Sequence, residues 1–167
     1  QNIKQQFSYL FQFGALFSFL NVIENISVML KEYTNLSDDL IEKIAYTNLE
    51  IVGLPKNCAK LYPSQISGGM KKRVALARSL ALEPKILFLD EPTSGLDPSS
   101  TQKINELILY LRDVLNMTIV IITHDLETIK TVLDRFVILK KDIIFNGNIK
   151  EAMNSDDEFI KDFLTNK

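Results

Sequence analysis

Tryptophan is absent from this chain of 167 residues, cysteine and histidine occur once each, and glycine and proline number only six and five. Each shortage excludes something. The single thiol, Cys58, rules out an internal disulfide and suits a reducing compartment. The single histidine, His124, rules out a metal site built on a histidine cluster. No apolar run approaches the roughly 20 residues that a membrane-spanning helix needs. The opening residues do not read as a secretory leader, because Lys4 is followed by Gln5, Gln6 and Ser8 rather than by a long apolar stretch. Neither sign of charge prevails. The 19 Lys and Arg stand against 21 Asp and Glu, a net charge of -2, which argues against binding nucleic acid by bulk electrostatics. What is present is the mixture of an ordinary globular domain, 46% hydrophobic and 24% charged, at a length suited to one domain.

Two apolar periodicities alternate along the chain. In FSYLFQ, residues Phe7, Tyr9 and Phe11 share a face, as in a short strand that Gln12 closes. From Asn21 to Tyr33 the stripe Val22, Ile26, Met29, Leu30 and Tyr33 predicts a helix. Ser37 is placed to cap a second helix, with Asp38 and Asp39 in its first turn. Gly53 and Pro55 close it. A third helix is predicted from about Ser67 to Leu82, before Pro84. Ile86 to Leu89 is apolar throughout, as in a strand covered on both faces, and Thr118 to Thr123 reads as a second buried strand. Between them Ile104, Leu107, Ile108, Leu111 and Leu115 mark a helix. A short helix over Leu126 to Leu133 and two short strands, Phe136–Leu139 and Ile143–Phe145, follow. Phe159, Ile160, Phe163 and Leu164 mark a terminal amphipathic helix. Buried strands separated by helices imply an α/β fold with a mostly parallel sheet. The stretch from about residue 13 to 82 is helical and reads as a subdomain.

Four places carry chemistry. Asp90 and Glu91 directly follow an apolar strand, and ligands of parallel sheets gather at the carboxyl ends of strands. An Asp there can hold magnesium through water, and a neighbouring Glu can orient or deprotonate an attacking water. The alternative is an acidic strand end in a loop. Ser67, Gly68, Gly69 and Met70 open the third helix, where backbone N–H groups favour an anion and glycines let a phosphate approach. The alternative is a cap with two flexible residues. Ser94, Gly95, Leu96, Asp97 and Pro98 form a turn by composition. His124 follows the second strand, where a lone histidine is more often structural than catalytic. Gln12 alone carries almost no signal.

The order Gln12, Ser67–Met70, Ile86–Glu91, Ser94–Asp97, His124 resembles the ATP-binding cassette (ABC) ATPases across nearly the whole chain. Gln12 matches the Q-loop of that family, Ser67–Met70 the signature motif, Asp90 and Glu91 the Walker B pair, Ser94–Asp97 the D-loop and His124 the switch histidine. The stretches Phe11–Phe17, Glu32–Leu36 and Ala59–Met70 look like the Mla-type branch, concerned with lipid asymmetry and toluene tolerance, and Met70 in place of the usual Gln supports this.

The resemblance implies a P-loop NTPase (RecA-like) fold. Its parts would be a helical signature subdomain over about 13–82, half of the RecA-like core over about 83–150 and a C-terminal helix over 151–167. It implies ATP and Mg2+ as ligands, with Asp90 and Gln12 toward the metal. Glu91 would be general base, His124 would contact the γ-phosphate, and Gln12 would also sense the attacking water. Ser67, Gly68, Gly69 and Met70 would grip the phosphate bound to a second ATPase subunit, and Ser94, Gly95 and Asp97 would lie at the dimer seam. A membrane permease, pushed by the segment containing Phe13, Phe17 and Phe19, and periplasmic lipid-binding proteins would be partners, nucleic acid would not. The subunit would sit peripherally on the cytoplasmic face of the inner membrane. One departure is large. None of the glycines at 14, 53, 68, 69, 95 and 147 begins a Gly-x-x-x-x-Gly-Lys-Ser/Thr, so the phosphate cradle and its sheet are expected to be missing. With Gln1 in place of Met, this predicts a truncated cassette inactive alone. The alternatives are a non-catalytic subunit lending its signature motif in trans, or a decayed gene remnant.

Overall fold

The computed structural model describes residues 6–165. They fall into two compact units, one ending at Ile122 and the other beginning at Thr123. The first contains β1 (Phe7–Leu10), α1 (Val22–Tyr33), α2 (Asp38–Ile51), α3 (Gly68–Leu80), β2 (Ile86–Asp90), α4 (Pro98–Asp113) and β3 (Thr118–Ile122). The three strands are parallel in the order β1-β2-β3, with Tyr9 beside Phe88 and Phe88 beside Val120. All three therefore deliver their carboxyl ends to one edge of the sheet.

Local chemistry sets the helix ends. Asn21 caps α1 in a reciprocal box: its Oδ1 accepts from the Glu24 amide at 2.9 Å, and Glu24 Oε2 accepts from the Asn21 amide at 2.8 Å. Ser37 holds the N-cap position of α2 but makes no side-chain cap bond. Gly53, at φ +67°, donates to the Glu50 carbonyl at 2.9 Å and ends α2 as expected. Helices α1, α2 and α3 share an apolar centre that includes Val22, Ile26, Ala45, Leu49, Val74 and Leu76.

Both crossovers step in the same direction across the sheet, so right-handed connections put α3 and α4 on one face. That is the face on which Leu10, Leu87 and Leu89 are buried. The opposite face corrects the expectation of strands covered on both sides. Phe7, Tyr9, Val120 and Ile122 are exposed there, Ile122 to 57%. Strand β3 is not a buried strand but alternates between exposed and half-buried residues, because Val120 and Ile122 on this face stay open to solvent. An aromatic row, Phe7 edge-on to Phe88 and Phe88 stacked on Tyr9, lies across it. Two boundaries also differ. Strand β1 stops at Leu10, and Gln12 lies in a turn closed by the Gly14 amide on the Phe11 carbonyl at 2.7 Å. Helix α4 stops at Asp113, so Leu115 falls outside its buried stripe and is exposed.

The second unit comprises α5 (Leu126–Thr131), the antiparallel pair β4 (Phe136–Leu139) and β5 (Ile143–Gly147), α6 (Ile149–Met153) and α7 (Glu158–Thr165). Its own core joins Ile129, Phe136, Ile138, Ala152, Ile160 and Leu164. The expected strand pair and terminal helix are both present. The last two residues of the segment 151–167 lie outside the described residues. Among the described residues no helix is long and apolar enough to cross a membrane.

Candidate nucleotide-phosphate site

Asp90 is the last residue of β2, half-buried and paired with Ile122. Glu91 follows it in the left-handed backbone region, at φ +46°. An L residue pays for that conformation, and such strain persists only where neighbours over-determine it. Three contacts do so. The Glu91 amide donates to the Ile122 carbonyl at 2.9 Å, the Glu91 carbonyl accepts from the Ser94 amide at 3.2 Å, and the same carbonyl accepts from Lys72 Nζ at 2.7 Å. Chain direction is thereby turned sharply at the point where the carboxylate leaves the strand.

The signature residues form the start of α3. Ser67 is its N-cap, with Oγ accepting from the Met70 amide at 3.3 Å, and Gly68 and Gly69 open the first turn. The pair of glycines is thus not inside the helix but at its start, where N–H groups have no intrahelical acceptor. Ser67 and Gly68 are exposed. A Cβ on Gly69 would stand 3.4 Å from Ser100 Oγ and 3.9 Å from Leu96 Cδ2, so the turn after Glu91 packs directly against the signature residues. That turn runs through Ser94 and Gly95, at φ +74°, to Asp97. Asp97 caps α4: Oδ1 accepts from the Ser100 amide at 3.0 Å and Oδ2 from the Ser100 hydroxyl at 2.6 Å. The hydroxyl, and then the amide, hold this exposed carboxyl below its ordinary value of 3.8.

Helix α3 reaches two loops. Besides Lys72 on Glu91, Arg78 donates through Nη2 to the Gly14 carbonyl at 2.7 Å and through Nη1 to the Ala15 carbonyl at 2.8 Å. Gly14 and Ala15 are themselves left-handed, at φ +73° and +45°. The turn that follows Gln12 is therefore fixed by the same helix that fixes Glu91. Gln12, two residues beyond β1, and Glu91, one residue beyond β2, sit past the same edge of the sheet.

Sequence reasoning missed Lys72 and Arg78. The legible signal was burial by position: Lys72 lies three and four residues before Ala75 and Leu76, inside the apolar stripe of α3. Burial pushes the Lys72 ammonium below its ordinary value, and the Glu91 and Asp90 carboxylates partly hold it up. His124 belongs to the second unit, where it is exposed just before α5. Its neighbour Asp125 caps that helix by accepting from the Thr128 amide at 3.0 Å.

Among the described residues no cluster of three His, Cys, Asp or Glu could hold a metal by itself. The donors at this edge are oxygens, the Asp90 and Glu91 carboxylates and the Gln12 amide. That suits magnesium, which keeps several waters and takes its remaining ligands from phosphate.

A strand end bearing adjacent carboxylates thus lies beside a glycine-opened helix N-terminus in a protein of the α/β class. The family model described as ABC transporter matches residues 1–94. The chain belongs to the ABC transporter ATP-binding family. It is 37% identical over 163 residues to the intermembrane phospholipid transport system ATP-binding protein MlaF of Haemophilus influenzae, covering 97% of this chain and 61% of that protein. Over 166 residues it is also 37% identical to the "Probable ribonucleotide transport ATP-binding protein mkl" of Mycobacterium leprae, covering 99% and 48%. The chain thus spans about half to three-fifths of the curated relatives. Among solved structures it superposes on cbiO1 of Clostridium perfringens, part of the ABC transporter complex cbiONQ. The TM-score is 0.81 at 32% identity, covering 97% of this chain and 64% of that one. The cassette MJ0796, in a dimeric post-hydrolysis state bound to ADP and Pi, gives a TM-score of 0.77 at 30% identity over 87% of this chain and 64% of that one. The α/β cassette fold expected from the sequence is the fold observed.

Proposed function

We propose that this chain is the signature-bearing and Walker B part of an ATPase subunit that drives phospholipid transport across a bacterial envelope. The observation that carries the reading is the close approach of Gly69 to Ser100 and Leu96, which follow the strained Glu91 through the turn its carbonyl closes with the Ser94 amide. Glu91 is the general base toward the attacking water. Asp90, through water, and Gln12 would hold magnesium, which when bound neutralises charge on the phosphate oxygens. The Ser67 hydroxyl and the first-turn amides of Gly68 and Gly69 donate to the γ-phosphate presented by a second ATPase subunit, with Met70 beside them, and Asp97, Ser94 and Gly95 lie at that seam. His124 supplies a γ-phosphate contact. The chemistry is positioning: fixed N–H dipoles meet charge as it develops.

The exposed Phe13, Phe17 and Phe19 form the face toward a membrane permease at the cytoplasmic side of the inner membrane. The name of the MlaF relative supports phospholipid as cargo. Periplasmic lipid-binding proteins are further partners on the resemblance to the Mla-type branch alone. The stretch Phe11–Phe17 and Met70 support the same branch.

The test is phosphate release from Mg-ATP. The chain alone, which has no Gly-x-x-x-x-Gly-Lys-Ser/Thr, releases none, and activity lost on Glu91→Gln would overturn that expectation. Mixed with an intact cassette subunit it supports turnover that Ser67→Arg abolishes. Turnover indifferent to Ser67→Arg would sink the trans role of the signature residues. The exposure of Ser67 and Gly68 also favours a second reading, a non-catalytic subunit that completes a partner's site; there Ser67→Arg is damaging and Glu91→Gln is silent.

A further inference from the structure

We propose that Lys72 is a positioning residue for the reaction. Its ammonium, carried on the signature helix, fixes the Glu91 peptide and so ties the engagement of α3 by phosphate to the aim of the Glu91 carboxylate. The inference rests on the reading of Glu91 as general base and adds a residue to that site.

The geometry is specific. Lys72 stands one turn after the glycines of α3, so its Cα moves with the signature residues. Its side chain is buried, 7% exposed, although lysine is almost never fully buried without a partner. What it gains there is a single charge-assisted bond, Nζ to the Glu91 carbonyl at 2.7 Å. That carbonyl belongs to the residue at φ +46° and also accepts from the Ser94 amide at 3.2 Å, the first link of the turn toward Asp97. One oxygen is thus the meeting point of the signature helix, the carboxylate-bearing strand end and the turn at the seam.

A lysine at this place does two things that a neutral residue would not. It stabilises the left-handed peptide of Glu91 against relaxing into an extended one, which would swing the carboxylate away from the strand axis. It also sets a cation near Asp90 and Glu91, which offsets part of their mutual repulsion. Displacement of the first turn of α3 pulls on the same oxygen. The rate of the chemical step then depends on how α3 is seated, while the affinity for ATP does not. Arg78 makes the corresponding link to the turn after Gln12.

Two measurements on Lys72→Met and Lys72→Arg test this. The first needs no nucleotide: amide hydrogen exchange of the chain, followed by mass spectrometry. Lys72→Met, which keeps the apolar stem, speeds exchange of the 91–97 segment by about tenfold, the loss of one such bond, and leaves α1 and α2 unchanged. Lys72→Arg restores protection. Unchanged exchange at 91–97 in Lys72→Met overturns the proposal, and so does an increase spread evenly over α1, α2 and α3. The second is phosphate release by the assembled ATPase over a range of ATP concentrations. Lys72→Met lowers kcat by about tenfold with KM within about twofold, and Lys72→Arg recovers most of it. A raised KM with unchanged kcat overturns the proposal. If Glu91→Gln itself leaves turnover intact, the reading of Glu91 as base fails, and the exchange result still decides whether Lys72 holds that peptide.

Discussion

Asn25 offers the sharpest test of how the exposed phenylalanines are held. Its side chain is fully buried in the first turn of α1 and makes four hydrogen bonds. Oδ1 accepts from the Phe17 amide at 2.8 Å, and Nδ2 donates to the carbonyls of Phe17, Leu20 and Asn21 at 3.1, 2.9 and 3.0 Å. One amide therefore pins the loop that carries Phe13, Phe17 and Phe19 to a helix. Asn25→Ala removes all four bonds. The Phe17 and Asn21 carbonyls keep other donors, the amides of Leu20 and Asn25. The Phe17 amide and Leu20 carbonyl lose the partner that ordered them. At about 1 kcal/mol per bond, discounted for carbonyls that stay satisfied and for water reaching the half-exposed Leu20, the loss is about 3 kcal/mol. With a urea slope of about 2 kcal/mol per molar, the unfolding midpoint falls by about 1.5 M. The chain has no tryptophan, so far-UV circular dichroism is the probe of choice. Ser27→Ala is the control, since Ser27 bonds only back to the Ile23 carbonyl of its own helix, at 2.8 Å, and shifts the midpoint little. A midpoint for Asn25→Ala indistinguishable from that of Ser27→Ala would refute the reasoning. Since permease docking is proposed through the same loop, Asn25→Ala also weakens co-purification with the membrane subunit more than its stability loss accounts for.

Two glycines separate backbone strain from crowding. Both Gly14 and Gly95 sit near φ +74°, but a Cβ on Gly95 meets nothing within 4 Å, while one on Gly14 stands 3.2 Å from Ala75 Cβ. Gly95→Ala costs about 1 kcal/mol of strain and Gly14→Ala about 1 kcal/mol more, read as the difference between their urea midpoints. Equal midpoints would show that α3 does not press on the turn after Gln12. Asp97 gives a pH test. Its folded-state value is depressed by Ser100, so its contribution is present above the ordinary 3.8 and is lost as pH falls through the folded value. Ser100→Ala therefore lowers the melting temperature at about pH 6, and the difference from the parent closes by about pH 2. A gap that widens in acid would contradict the assignment.

Much of this molecule was readable before it was folded. The helix beginning at Asn21, the stop at Gly53 and the strand before Asp90 all follow from short-range chemistry, because apolar periodicity and glycine φ angles act within a few residues. The order of the motifs, and with it the family, is likewise a property of the string. Coverage was not. The run Ile119 to Ile122 looks buried on both faces, yet Val120 and Ile122 are exposed, since whether a strand is covered depends on which elements pack against it and not on its own letters. The contacts of Lys72 with Glu91, Arg78 with Gly14 and Gly69 with Ser100 join residues 19, 64 and 31 positions apart (91 − 72, 78 − 14 and 100 − 69). Composition and spacing supplied the reactive groups. Only the packing of α3 against the ends of β1 and β2 decided which carbonyls its cations would hold, because a buried charge settles where the fold leaves it an acceptor.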